Sequence, residues 1–313
     1  MTKQSETSLV TGGAGFIGSE LVRQLLDEGQ KVIVYDNLSF GRRSNLPPSK
    51  NLRLVKGDLV DTGKLHAVLK QWKPHTVFHL AALHFIPYCN SHPQETVRVN
   101  VEGTESVLQA CRNTSVECLI YASTAAVYGI RSRPHRESEE AAPVDIYGLT
   151  KFFGEFLVRK FHAETAIRCR IGRLFNGYGR RETSPHVIPE IVEQVARGNS
   201  IRLGNTKPKR DFVHTSDIAR AFRLMAAAEG FGVDVFNVGT GKSVSVESFV
   251  QAIASILDRP LRIVVDPKRV RKVERLNLAA DWSKISRVLG WEPKVSPRDG
   301  MIDLLEEAGL LRS

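Results

Sequence analysis

Short apolar runs alternate with amphipathic stretches over the first half of the chain. Leu9 and Val10 form a strand that leads straight into glycines. Apolar side chains then recur at Ile17, Leu21, Val22, Leu25 and Leu26, the three-to-four-residue spacing of a helix, and Gly29 ends it. Runs at 32–35, 52–55, 76–80, 118–121 and 168–173 read as further strands. Stretches 61–71, 94–112 and 144–163 read as helices. Strands alternating with helices of this length predict βαβ units in a parallel sheet. Such a sheet has right-handed crossovers and takes its ligand outside the carboxyl ends of the strands.

Beyond about residue 175 turns become frequent. Helices are expected over 187–197, 216–228, 245–257 and 297–308, and a strand at 235–238 that can join the first sheet. The predicted fold is α/β: a Rossmann-type doubly wound parallel sheet over 1–174, to which 211–240 returns. A smaller mixed C-terminal substrate domain over 175–313 closes on the sheet's ligand edge.

Composition narrows the classes. With 42% hydrophobic and 25% charged residues in 313, wholesale disorder is excluded. No apolar run reaches the roughly 20 residues that span a bilayer, and the first residues have no secretory apolar core. Cys89, Cys111, Cys118 and Cys169 show neither a CxxC pair nor a zinc spacing. A reduced, cytoplasmic protein without a metal, and without a membrane partner, is expected. The net charge of +10 comes partly from 197–210 and 259–275, and neither stretch contains an aromatic residue. A nucleic-acid site would interleave stacking side chains with the charge, so a small phosphorylated ligand is the better reading.

Gly12, Gly15 and Gly18 follow the first strand and open the first helix. This GxxGxxG spacing suits a tight turn, close approach of a pyrophosphate, and close helix–strand packing. Asp36, at the end of the second strand, would accept from ribose hydroxyls and repel a 2′-phosphate, which favours NAD over NADP. Arg42 and Arg43 are the residues that would serve a phosphate instead. Asp58 either touches the adenine edge or caps the following helix. Tyr147 and Lys151 lie four apart, on one face of a helix. An ammonium beside a phenol favours the phenolate and makes a base for a hydroxyl proton. Ser123 and Thr124, after the fifth strand, offer hydroxyls to relay that proton.

These residues resemble the extended short-chain dehydrogenase/reductases of the nucleotide-sugar epimerase/dehydratase family. The matching motifs run from Thr11–Gly18 through Asp36-Asn37-Leu38-Ser39, Gly57-Asp58-Leu59, His79-Leu80-Ala81-Ala82, Asn100 with Gly103-Thr104, and Ser123-Thr124. They continue through Tyr147 with Lys151, Phe175-Asn176, Arg210-Asp211-Phe212, Asn237-Val238-Gly239 and Leu289-Gly290-Trp291. The resemblance implies a catalytic set of Thr124, Tyr147 and Lys151. It implies NAD contacts from Phe16, Ile17, Asp58, Leu59, Leu80, Ala81, Ala82 and Asn100. It places Asn176, His186, Arg210 and Arg271 at a nucleotide diphosphate, and a homodimer built from the helices at 94–112 and 144–163.

Family dehydratases carry carboxylates directly after the catalytic hydroxyl. Here those positions are Ala125 and Ala126, which cannot move protons. The expected reaction is therefore NAD-dependent epimerisation of a nucleotide-diphosphate sugar at C4, through a transient 4-keto intermediate. A 4,6-dehydratase, a uronate decarboxylase, a 4-keto reductase and a non-catalytic sensing module are the alternatives. Arg180 or Arg181 would receive a carboxylate if the sugar were a uronate. His84 would touch a sugar hydroxyl, Leu278 would border the sugar pocket, and Gly204-Asn205 resembles members that take GDP-sugars.

Overall fold

The computed structural model describes residues 6–267 and 277–311, and the Arg271 assignment lies outside them. Seven strands build the main sheet: β1 (Thr7–Thr11), β2 (Lys31–Asp36), β3 (Leu52–Lys56), β4 (Thr76–His79), β5 (Cys118–Thr124), β6 (Arg168–Leu174) and β10 (Val233–Val238). Their order is β10-β6-β5-β4-β1-β2-β3, and every pairing is parallel. The winding reverses where β1 lies between β2 and β4. A crevice opens there beyond the carboxyl ends of the strands.

Alternation along each strand produces two apolar layers. Val10, Val34, Phe78 and Ile120 face helices α1 (Phe16–Asp27) and α8 (Thr215–Ala227), with Leu21, Val22, Phe222 and Met225 among the buried partners. Leu9, Ile33, Val77 and Leu119 face α2 (Thr62–Trp72), α5 (Gly103–Cys111) and α6 (Ile146–Thr165), through Leu65, Leu108 and Phe161. Each such side chain contributes roughly 1.5–3 kcal/mol on burial.

Between β4 and α5 the chain forms α3 (Ile86–Ser91), α4 (Pro93–Val97) and a π turn (Arg98–Glu102). The single helix expected over 94–112 is thus interrupted. The π turn carries the Asn100 amide to both backbone groups of Leu83, at 2.8 and 2.9 Å. Such single π turns are frequent at functional sites.

The remaining strands are β7 (Asn176–Tyr178), β8 (Ser200–Leu203), β9 (Lys209–His214), β11 (Ser243–Ser245), β12 (Arg262–Val265) and β13 (Asn277–Leu278). β9 pairs with β7, β11 and β13, and β8 pairs with β12. Helices α7 (Val187–Arg197), α9 (Val246–Ile256) and α11 (Pro297–Glu307) enclose a third core around Ile191, Leu203, Phe212, Phe249 and Leu304. The chain returns to the first unit twice. The first return brings α8 against the main sheet; β9 before it pairs in the small sheet while its Val213 joins the first core. The second, α10 (Ser283–Leu289) with Trp291, brings Ile285 and Trp291 into the first core. Asp217 anchors it, taking the amides of Lys294 and Val295 while its carbonyl accepts from Trp291 Nε1 at 3.0 Å.

Among the described residues no helix is long and apolar enough to cross a membrane.

Candidate active site

A cleft of about 1260 Å³ runs along the carboxyl edge of the main sheet and under the small unit. One end lies over the glycine turn. Gly12, Gly15, Phe16, Ile17 and Gly18 line it. Gly12 has φ +69°, and a Cβ there would meet the Ala81 backbone at 2.8 Å, so only glycine allows β1 and β4 to converge at this turn. The first turn of α1 holds no acid, which leaves its N–H groups for an anion. Asp36 accepts from Ala14 N at 3.0 Å and Leu38 N at 2.8 Å. Arg42 N and Asn45 Nδ2 bind the Ala14 carbonyl. The turn is thereby preset, and the Asp36 carboxylate keeps acceptor capacity for ribose hydroxyls. Asn37, Asp58, Leu59, Leu80, Ala81 and Ala82 complete this end. Asp61, not Asp58, caps α2 by accepting from Lys64 N. Asp58 instead accepts from Asn37 Nδ2 at 3.1 Å. These features fit NAD. Arg42 and Arg43 do not line the cleft.

The chemistry sits where α6 crosses the end of β5. Asp145 caps α6 by accepting from Gly148 N at 2.7 Å. Gly154 faces Tyr121, and a Cβ there would fall 2.0 Å from the phenol oxygen, so the helix lies as close to β5 as a backbone can. Tyr147, Lys151, Ser123 and Thr124 all line the cleft. Thr124 Oγ1 accepts from Ala126 N at 3.1 Å, which leaves its O–H for Tyr147, the partner to which it is hydrogen-bonded. Burial raises the Tyr147 phenol above its ordinary range, and the Thr124 bond partly opposes that. Lys151 is 2% exposed, with Nζ 4.1 Å from the centre of the Tyr121 ring. Burial lowers its ammonium to about 7, against the upward pull of Glu155. Burial is thus the largest influence on both groups.

Beyond Tyr147 the wall is formed by His84, Glu182, His186, Phe175, Asn176, Ala125 and Leu278. The His84 Nε2 lies 3.3 Å from Ser184 Oγ, and burial pushes His84 down to about 4. Glu182 hydrogen-bonds His186 Nδ1, and burial raises its carboxyl. Arg210, Gly204, Asn205 and Leu203 line the far end.

Several expected roles are redirected. Ser123 donates to Glu155 Oε1 at 2.5 Å, so its hydroxyl serves a buried carboxylate while Thr124 serves Tyr147. Asn100 does not line the cleft, since its amide is used by Leu83 and, at 3.0 Å, by Thr150. Arg180 binds Asp303 at 2.5 Å and Glu306 at 2.9 Å, and Arg181 binds Glu20 at 2.8 Å. Both arginines hold the 180–186 segment to α11 and α1, and neither lines the cleft. Glu155, Arg173 and Glu182 carry no motif in the sequence, and His79 stands there only as the first residue of a motif. His79 is fixed between Thr11 Oγ1 at 2.8 Å and Thr104 Oγ1 at 3.0 Å, and burial pushes it down to about 3. Its place in the His79-Leu80-Ala81-Ala82 motif was the available signal.

A glycine turn, a strand-end acid and a Tyr–Lys–Thr set on one sheet edge define an extended short-chain dehydrogenase/reductase. Residues 9–304 match the family model described as GDP-mannose 4,6 dehydratase, and the chain belongs to that family. It is 33% identical to the UDP-glucose 4-epimerase of Mycolicibacterium smegmatis over 96% of this chain and 97% of that one. Among solved structures, the UDP-glucose 4-epimerase of Thermotoga maritima with UDP-glucose superposes with a TM-score of 0.88. It is 30% identical, and the match covers 96% of this chain and 98% of the other. The UDP-glucose 4-epimerase of Thermus thermophilus in complex with NAD gives 0.89 at 29% identity, covering 97% and 99%.

A buried lysine whose folded-state pKa is depressed costs stability while it must carry charge, and the cost fades as pH rises to its unfolded value. Lys151→Met is therefore expected to stabilise the ligand-free protein by about 2–4 kcal/mol at pH 6–7, with the gain shrinking towards pH 10. Urea unfolding across this range checks it, and a gain independent of pH would contradict it.

Proposed function

We propose that the chain is an NAD-dependent nucleotide-sugar epimerase that inverts C4 through a transient 4-keto sugar. The observation that carries this reading is the Tyr147–Thr124 hydrogen bond beside buried Lys151, on a wall that continues into Ala125 and Ala126. When bound, NAD supplies the acceptor and donor of hydride. Tyr147 takes the proton of the C4 hydroxyl and later returns one to the C4 oxygen. Thr124 orients that oxygen, and Lys151 offsets the charge gained by the phenol. Methyl groups after Thr124 offer no acid or base for elimination at C5 and C6. The relatives named above support epimerase chemistry with UDP-sugars. Asn176, His186 and Arg210, spaced along the cleft, are the proposed diphosphate contacts, and Arg210 suits them through its planar fork of donors. With Arg180 and Arg181 held by acids, the uronate reading loses its carboxylate receptor.

Incubation with UDP-, dTDP-, GDP- and CDP-hexoses, followed by separation of C4 epimers, tests the reading. Interconversion without net change in NADH is expected, and Tyr147→Phe should lower kcat about a hundredfold or more. An accumulating 4-keto product, or release of CO2, would contradict it.

We also propose a homodimer in a reducing cytoplasm, where its buried free cysteines persist. Leu149, Phe152, Phe153 and Phe156 expose an apolar face on α6, and Phe156 is 60% accessible. Such a face matches a self-complementary two-fold contact. Light scattering should give twice the 34.8 kDa chain mass, and Phe153→Glu with Phe156→Glu should give the monomer. A monomeric wild-type protein would contradict this.

A further inference from the structure

One segment bonds the small unit to the main unit beside the glycine turn. Residues 180–186 run from β7 to the start of α7. At its base, Arg180 is held by Asp303 and Glu306, and the Arg181 N–H lies 3.0 Å from each carboxylate oxygen of Glu307. All three acids belong to α11, so this end of the segment is fixed to the small unit.

Three links then reach the main unit. Arg181 Nη2 donates to Glu20 Oε2 on α1 at 2.8 Å. Thr183 Oγ1 donates to the Phe40 carbonyl at 2.9 Å, and Ser184 Oγ lies 3.3 Å from His84 Nε2. Phe40 and Gly41 line the cleft, and Arg42 N and Asn45 Nδ2 just after them bind the Ala14 carbonyl of the glycine turn. Glu182, Thr183, Pro185 and His186 line the cleft from the segment itself. Two of the three links thus land on α1 and on the loop beside the glycine turn, the part of the main unit that fits the NAD pyrophosphate.

The closed arrangement is strained at one residue. Arg181 has φ +67°, a left-handed conformation that residues with a Cβ seldom adopt. Such strain persists only where the surroundings hold it. Here acids hold it from both units, Glu307 at the N–H and Glu20 at the guanidinium. The Arg181 side chain is 26% exposed and that of Glu20 7%, so water screens the pair only in part. Glu20 also accepts from Arg23 Nε at 3.0 Å and Gln24 Nε2 at 2.9 Å, and it keeps both when Arg181 lets go. A link that breaks without stranding a buried charge is suited to open and close.

We propose that residues 180–186 form a strap latched by the Arg181–Glu20 pair, and that this latch opens for NAD to enter or leave. The sugar nucleotide exchanges with the latch shut, through the far end of the cleft at Leu203, Asn205 and Arg210. Retention suits a cofactor that is regenerated in place, and this consequence alone rests on the reaction proposed above.

The test is release of radiolabelled NAD from the loaded full chain during a chase with unlabelled NAD, beside release of labelled UDP from the same protein. Arg181→Ala should speed NAD release about tenfold or more and leave UDP release within about twofold. Added salt should speed NAD release from the wild type more than from Arg181→Ala, which has no ion pair to screen. Unchanged NAD release in the variant, UDP release quickened as much as NAD release, or an equal salt response in the two proteins would overturn the proposal. Should Arg181→Ala not fold, Glu20→Gln weakens the same pair from its other side without touching the cleft. NAD release should then rise about threefold or more, and no rise would overturn the proposal. NAD release that responds as stated in a protein that interconverts no epimers would instead overturn the reaction and leave the latch standing.

Discussion

Helix α6 delivers a phenol and an ammonium to the cleft only because it lies on β5 with almost no gap. Gly154 makes room for Tyr121, and the Asp145 cap fixes where the helix begins. That contact sets Tyr147 against Thr124 and Lys151 over the Tyr121 ring. A displacement of one ångström would separate the phenol from the hydroxyl that orients it. The rest of the fold supports this contact, with β6 and β10 behind it and the small unit roofing the substrate end.

The same closeness has an electrostatic cost. Removing Lys151 and Tyr147 from water disfavours the charged form of each, so the ligand-free site drifts towards a neutral lysine and a neutral phenol. A cofactor with a positive ring would oppose this drift for the phenol.

Much of this was legible in the sequence, for reasons that can be stated residue by residue. Leu9, Val10 and the spacing of Leu21, Leu25 and Leu26 announce a strand and a helix, because burial imposes periods of 2 and 3.6. Gly12 and Asp36 are readable because a tight turn and a ribose each demand one residue type. Side-chain commitments were not readable. Ser123 and Thr124 are adjacent hydroxyls, and only the pleat of β5 decides that one meets Glu155 and the other Tyr147. Arg180 and Arg181 look available for an anion until α11 brings Asp303 and Glu306 to Arg180 from 123 and 126 residues away, and α1 brings Glu20 to Arg181 from 161 away. Glu155 and Arg173 are 18 apart in sequence and carry no local signal of their pairing. The short strands β8, β11 and β13 have three or four residues or fewer and no periodicity to detect.

The central claim is that the Tyr147 phenol stays protonated in the empty cleft and ionises when the cofactor site is filled. Tyrosinate absorbance, taken as the difference between wild type and Tyr147→Phe, measures it across pH with and without NAD. The account predicts no Tyr147 ionisation below about pH 10 in the ligand-free protein and a midpoint at least about two pH units lower with NAD bound. A midpoint that is the same in both states would contradict it.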